Sequence, residues 1–330
     1  MRREPSISAQ AVGWISLLVM ILASSTYNMF AKPLTAALSP LSLLFLSELI
    51  TLSFLLMSFG LVPIVERLMS LPPRKFLPLL WVGILSGTIA PTMWFSGLHA
   101  TTAVNANLFG NAEMVFLILL AIFVLGERWT VGHAIASISI ALGIFIVALR
   151  GFTEGISIQF GDMLIILASL SFSLGSITFR KYLHHVEPQV AIFVRSITAI
   201  SAFLLLHVIR SMGEGAPPLF DHELIAELRS FPISLIPALL GFCFIARFCN
   251  VLTFYVALDR LPVATVSLLG SLTVVTGTLF AHWYLDEPIL WYHAFGGSLI
   301  ILGSIILETL GLHPSEKHHT AHLEQKLHRA

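Results

Sequence analysis

The sequence predicts an all-α integral-membrane fold of ten spanning helices, arranged as two inverted five-helix repeats. Three observations predict it. Of the 330 residues, 56% are hydrophobic and only 11% charged, against about a quarter charged in an ordinary soluble protein, so there is too little charge to cover a water-facing surface. The apolar mass falls into ten stretches, each near the ~20 residues that a bilayer-crossing helix needs. The chain also matches itself at a shift of 160 residues, a distance that spans five of those stretches.

The stretches of the first half are 11–31, 41–63, 76–98, 103–125 and 131–149, and those of the second are 161–180, 189–210, 232–257, 262–285 and 290–311. Each is read as a helix because, inside lipid, only intrahelical bonds satisfy the backbone. The first follows Arg2 and Arg3, as a signal peptide would. Its apolar run is too long for one, and no small-residue cleavage site follows, so it reads as a span. Pro91 and Pro237 are the candidate bend positions of the third and eighth stretches. The longest outward loop, 211–231, places Leu224, Ile225 and Leu228 on one helical face, which predicts a short interfacial helix serving as a connector.

Loop charges orient the bundle. Alternate loops, starting from the N-terminus, hold Arg2, Arg3, Arg67, Arg74, Lys75, Arg128, Arg180, Lys181, Arg260, Lys317, Lys326 and Arg329. The opposite loops hold Lys32, Arg150, Arg210 and Arg229. The positive-inside rule therefore puts both termini in the cytoplasm, as an even number of spans requires, and predicts a multi-pass protein of the plasma or inner membrane. Lys+Arg and Asp+Glu are 18 each, so no basic excess speaks for nucleic acid, and the apolar fraction excludes a disordered chain. Cys243 and Cys249 form neither a disulfide framework nor a metal-binding pair.

At the 160-residue shift Gly110 falls on Gly270, Leu125 on Leu285, Glu127 on Glu287, His133-Ala134 on His293-Ala294 and Leu142-Gly143 on Leu302-Gly303. A unit with an odd number of helices enters the membrane upside down the second time. Inverted repeats of this kind build alternating-access carriers around a midplane site.

The stretch Asn111-Ala112-Glu113-Met114-Val115-Phe116, followed by Leu125-Gly126-Glu127-Arg128, resembles the Glu-Pro and Gly-Glu-Arg signature of EamA-type carriers of the drug/metabolite transporter superfamily. Leu285-Asp286-Glu287-Pro288 resembles its end in the second copy, and Lys32 after Asn28 and Lys181 after Ser176 resemble the start of each copy. The resemblance covers 14–149 and 161–309 as two repeats, leaving 312–330 as a polar cytoplasmic tail. It implies transport of small metabolites, often as export, through a cavity between the third, fourth, eighth and ninth helices. Met114 replaces the signature proline, and Thr273-Val274 replaces Glu-Pro in the second copy. The arginine often found in the second helix of each repeat is matched by Arg195, with Glu48 near its place in the first.

Four ionisable residues fall well inside spans: Glu48, Glu113, Arg195 and Arg247. In lipid such groups pair or face a wet cavity. Glu48 and Arg195 are the candidate structural ion pair. Arg247 and Glu113 are the better pathway candidates, and they are also a possible pair locking two helices. Arg247, Asn250 and Phe254 recur at i, i+3 and i+7, a polar and aromatic stripe suited to holding a carboxylate. Asn107 and Asn111 share a face of the fourth helix, with Glu113 turned away from Asn111; the three asparagines are equally readable as interhelical hydrogen-bond groups. Trp94 reads as a packing aromatic or as a substrate platform. With Arg247 available to hold Glu113 ionised, a facilitator or exchanger is favoured slightly over an antiporter with a coupling proton on Glu113.

The competing classes are a membrane enzyme and a non-transporting scaffold. The chain carries no phosphate-binding loop, dinucleotide fingerprint, zinc-protease helix or serine elbow. His133 and His293 belong to opposite membrane sides, so they cannot share an active site. The tail histidines 313, 318, 319, 322 and 328 have no fixed metal geometry. The expected partners are a small-molecule metabolite and the lipid bilayer, with no cofactor, metal or catalytic residue; oligomeric state is not legible.

Overall fold

The computed structural model describes residues 7–126, 130–150, 159–183, 186–214, 222–261, 269–270 and 272–310. The signature residues Glu127 and Arg128, the start of the ninth stretch at 262–268, and the tail 312–330 lie outside them. The described chain is helical throughout its elements. Among the described residues eight helices are long and apolar enough to cross a membrane, and a shorter apolar helix, Trp291–Ile306, follows.

The first repeat opens with α1 (Ile7–Ser25) and α2 (Tyr27–Ala37), which together carry a span to Ala37, beyond the expected end at 31. Pro33 lies inside α2. Ser39 starts α3 (Pro40–Phe59) by accepting the Ser42 N–H, with Pro40 in the first turn, an arrangement that satisfies one free amide where proline has none to lose. The second span was expected to reach 63. It stops at Gly60, whose φ of 76° breaks the helix, and α4 (Leu61–Met69) leaves as a separate helix. Arg67 of α4 is ion-paired to Glu187.

The third span runs from the turn Pro73–Lys75 through α5 (Phe76–Val82), a π-helical segment Gly83–Ile89, and α6 (Ala90–Ala100). Pro91 follows that segment and has no N–H to offer the Gly87 carbonyl, which widens the turn. The fourth is broken into α7 (Ala103–Phe109) and α8 (Ala112–Leu125), and Gly126 ends it at φ 71°. α9 (Val131–Ala148) begins with a reciprocal cap between Thr130 and His133.

The second repeat follows the same plan: α10 (Phe160–Tyr182), α11 (Pro188–Glu214), the connecting helix α12 (His222–Ser230), α13 (Ile236–Gly241), a second π segment Phe242–Cys249, α14 (Asn250–Arg260), α15 (Thr273–Leu285) and α16 (Trp291–Leu310). The two π segments stand at repeat-related places. Val251 occupies the position equivalent to Pro91, so proline does not cause the second widening. Pro237, expected as a bend, sits in the first turn of α13, where proline begins a helix without kinking it.

Two registers relate the halves. The last three helices of each match at 160. The first two match at 148, with Gly13 on Gly161, Ser25 on Ser173, Lys32 on Arg180 and Pro40 on Pro188; the longer connection through α12 absorbs the difference. The repeats meet through equivalent residues. Ser139 Oγ of α9 donates to the Leu299 carbonyl of α16, 160 positions away. A Cβ on Gly143 would lie 2.5 Å from the Gly296 carbonyl and 2.9 Å from Ile300 Cγ1, while one on Gly303 would lie 2.6 Å from Ile140 Cγ1 and 2.8 Å from the Ala136 carbonyl. These pairs swap under the repeat relation, as a two-fold axis demands. Close approach through glycine is what joins helices where lipid is as apolar as their side chains. One core, including Leu34, Phe95, Phe109, Phe242 and Ile300, runs through both halves.

The connector helix α12 forms as expected, but it is more than a connector. Leu224 packs with Phe45 and Phe203, and the Glu227 carboxylate accepts the Ser39 N–H at the start of α3, 3.1 Å away. Ile225 and Leu228, predicted to share its apolar face, are exposed.

Candidate functional site

Three polar groupings stand out in this apolar frame. The first is a buried charge cluster. The Glu48 carboxylate of α3 is fully enclosed; it is ion-paired to Arg247, lies 3.5 Å from the Arg195 guanidinium, and accepts a 2.7 Å bond from Ser196 Oγ. Arg247 also donates to Ser47 Oγ at 3.1 Å and lies over the Phe242 ring. Every ion pair and hydrogen bond of the cluster joins the first repeat to the second. At the 148-residue register Ser47-Glu48 corresponds to Arg195-Ser196, and at 160 Gly87 corresponds to Arg247. Gly87 is where Arg195 passes, since a Cβ there would lie 2.5 Å from Arg195 Cγ.

The expected pair of Glu48 and Arg195 is therefore found, but as one side of a three-residue cluster. The possible pairing of Arg247 with Glu113 is not found: Arg247 is ion-paired to Glu48. Arg247 stands in the π segment Phe242–Cys249, where wheel geometry with 3.6 residues per turn fails. The same widening interrupts the stripe of Arg247, Asn250 and Phe254. Arg247 is 2% exposed and Phe254 is 38% exposed, while Asn250 is half-buried.

The second grouping is a hydrogen-bond chain. Trp94 Nε1 donates to Asn28 Oδ1 at 2.9 Å, Asn28 Nδ2 donates to Asn107 Oδ1 at 2.8 Å, and Asn111 Nδ2 donates to the Asn107 carbonyl at 2.8 Å. Asn107 Nδ2 is buried without a partner among the described residues. The chain lies at the break between α7 and α8, where Trp94 covers Gly110 so closely that a Cβ would meet its ring at 2.6 Å. Asn107 packs against Gly277 of α15. The Tyr27 ring joins the two groupings, lying edge-on to Trp94 at 6.2 Å and to Phe242 at 4.9 Å. Asn28 and Tyr27 were not among the expected site residues. A polar residue one turn before Lys32 in an apolar run was the available signal.

Glu113, in the first turn of α8, is apart from both groupings. It is half-buried, and Ser173 Oγ donates to its backbone carbonyl at 3.0 Å. Among the described residues no cation is paired with it.

The third grouping grips the turn between α6 and α7. Lys32 Nζ donates to the carbonyls of Leu98 at 2.6 Å, His99 at 3.3 Å and Thr101. From the opposite side the Glu287 carboxylate accepts the Ala103 and Val104 N–H groups, both at 2.8 Å. A cation thus holds a helix C-terminus and an anion the next N-terminus, each at the favourable pole of its helix. This gives the signature glutamate of the second repeat a structural position. The repeat-related histidines are caps as well: His133 Nδ1 accepts the Thr130 N–H at 3.2 Å and His293 Nδ1 the Leu290 N–H at 3.1 Å. Among the described residues no group of His, Cys, Asp and Glu is arranged to hold a metal.

The EamA-like transporter family model matches residues 11–149 and 159–309. A protein of Methanothermobacter thermautotrophicus described as an uncharacterized transporter is 26% identical over 239 residues, which is 71% of this chain and 65% of that protein, so the chain spans less than two thirds of that relative's length. A solved crystal structure matches 91% of this chain and 96% of its own, with a TM-score of 0.57 and 20% identity, a likeness of fold alone.

Proposed function

The chain belongs to the EamA-like transporter family, and we propose that it is a ten-helix carrier moving small organic metabolites, amino-acid-like or related, by alternating access. The direction proposed is export across the plasma or inner membrane, with both termini cytoplasmic. The working units are 14–149 and 161–309, inverted relative to one another, and 312–330 is a cytoplasmic tail.

The observation that carries this reading is the contact between equivalent residues, Ser139 with Leu299 and Glu48 with Ser196. Halves that meet about a pseudo-two-fold have two interchangeable arrangements, so one cavity faces either side in turn. Trp94, Asn107, Asn111, Asn250, Phe254, Glu113 and Arg247 are the proposed pathway residues. The preference for a facilitator rested on Arg247 holding Glu113. With Arg247 committed to Glu48, Glu113 becomes the proposed site of a coupling proton.

The test compares metabolites inside and outside cells with and without the gene. A set of small molecules depleted inside by expression supports the carrier; identical profiles count against it. For topology, tags at both termini should be shielded from external reagents, and an accessible C-terminus contradicts ten spans.

A further inference from the structure

The cluster around Glu48 is not electrically balanced. Two guanidiniums converge on one carboxylate, leaving an excess positive charge among buried groups. Arg247 is 98% enclosed, yet among the described residues its Nε has no partner, and neither does the buried Nε of Arg195. A buried donor without an acceptor and a buried charge without a counter-charge are both costly, so such groups point to something that completes them. Of the three charged residues only Arg195 has open space beside it, with 23% of its side chain exposed. A guanidinium inside a membrane span faces a wet cavity in preference to lipid. Arg195 is also the looser partner, at 3.5 Å from Glu48.

We propose that Arg195 receives the anionic group of the transported molecule, a carboxylate or phosphate, and that Glu48 neutralises it when no substrate is bound. This rests on the carrier reading above and names the substrate class for it. The planar guanidinium suits both oxyanions, which take its parallel N–H groups in pairs. Glu48 keeps Arg247 and Ser196 as partners when Arg195 turns to the ligand, so the exchange leaves no carboxylate bare. The incoming anion balances the charge that the cluster carries in excess. Because Glu48 and Ser196 are equivalent residues in contact, this event takes place where the two repeats meet.

The experiment is the metabolite comparison repeated with wild type, Arg195→Gln and Arg195→Lys at equal membrane abundance. The molecules whose distribution follows wild-type expression should carry a carboxylate or phosphate, the two classes being told apart by their identity. Their flux should fall about tenfold or more in Arg195→Gln, as loss of a charge-assisted bond predicts, and recover in part with Arg195→Lys. Cationic or uncharged substrates, or full anion flux in Arg195→Gln, overturn the proposal and leave the carrier reading intact. No molecule responding to wild-type expression overturns the carrier reading itself. Should Arg195→Gln fail to reach the membrane, the methyl ester or amide of the identified substrate decides: it should compete poorly with wild-type flux, and competition equal to the free acid overturns the proposal.

Discussion

Glu48 and Ser196 are equivalent residues of the two repeats and are hydrogen-bonded to one another, 2.7 Å apart. An apolar helix pair would hold the repeats together without charge, so a carboxylate between two arginines at this contact has a cost. Removing Glu48 leaves Arg247 buried without an anion and Arg195 half-buried without one. Glu48→Ala should lower stability by about 3–5 kcal/mol, read by thermal unfolding in detergent. Adding Arg247→Leu to that variant should recover a large share, since the more deeply buried charge then goes too. An Ala variant that melts with wild type would show that the cluster is hydrated rather than desolvated.

The contact of α9 with α16 depends on glycine. Gly143→Val places its Cβ at 2.5 Å from the Gly296 carbonyl, which only separation of the helices relieves. The expected loss is about 1–3 kcal/mol. Gly126→Ala is the contrast: nothing lies within 4 Å of its Cβ, and only the φ of 71° resists, so about 1 kcal/mol is expected. A Gly143→Val variant that melts with wild type would contradict the packing described.

Glu287 reaches from the second repeat to the first amides of α7. Glu287→Ala removes the acceptor of both Ala103 and Val104, and loss of such a cap costs about 0.5–2 kcal/mol. Hydrogen exchange at the start of α7 should accelerate by about tenfold, which corresponds to ~1.4 kcal/mol. Lys32→Met should loosen the other side of the turn by freeing the Leu98 and Thr101 carbonyls. Unchanged exchange in both variants would mean that the turn is held by packing alone.

Glu113 has a serine neighbour, Ser173, and no paired cation among the described residues. An outward-to-inward proton gradient in vesicles should drive wild-type flux, and Glu113→Gln should lose most of that response while retaining exchange at equal pH. Gradient-driven flux in Glu113→Gln would remove this residue as the proton site.

Much of the fold was legible because lipid permits few solutions. Apolar length located the helices, and the 160-residue match located the repeat. The sequence read less well where the backbone leaves the ideal helix. Gly60 ends α3 before 63 because of its φ, and the π segments around Gly87 and Arg247 rotate side chains away from positions that regular spacing assigns. Arg247, readable from sequence as a possible partner of Glu113, faces Glu48 instead. The second register, 148, was hidden because Leu-rich helices match one another in many alignments. It matters for the site, since only in that register do Ser47-Glu48 and Arg195-Ser196 correspond.

Trp94 decides between a packing role and a ligand-facing one. Its ring lies edge-on to Tyr27 and to Phe172, both at 6.2 Å, contacts that phenylalanine largely keeps. Its indole N–H bonds Asn28, and phenylalanine cannot replace that. Trp94→Phe therefore isolates the polar contribution. The Asn28 carbonyl loses its donor, and stability should fall by about 1 kcal/mol. Asn28 in turn orients Asn107, whose free Nδ2 is the donor that this chain presents. A ligand-facing chain should show a raised KM for the identified substrate with kcat little changed. Lower stability with an unaltered KM would make Trp94 a packing residue and would move the binding site away from Asn107.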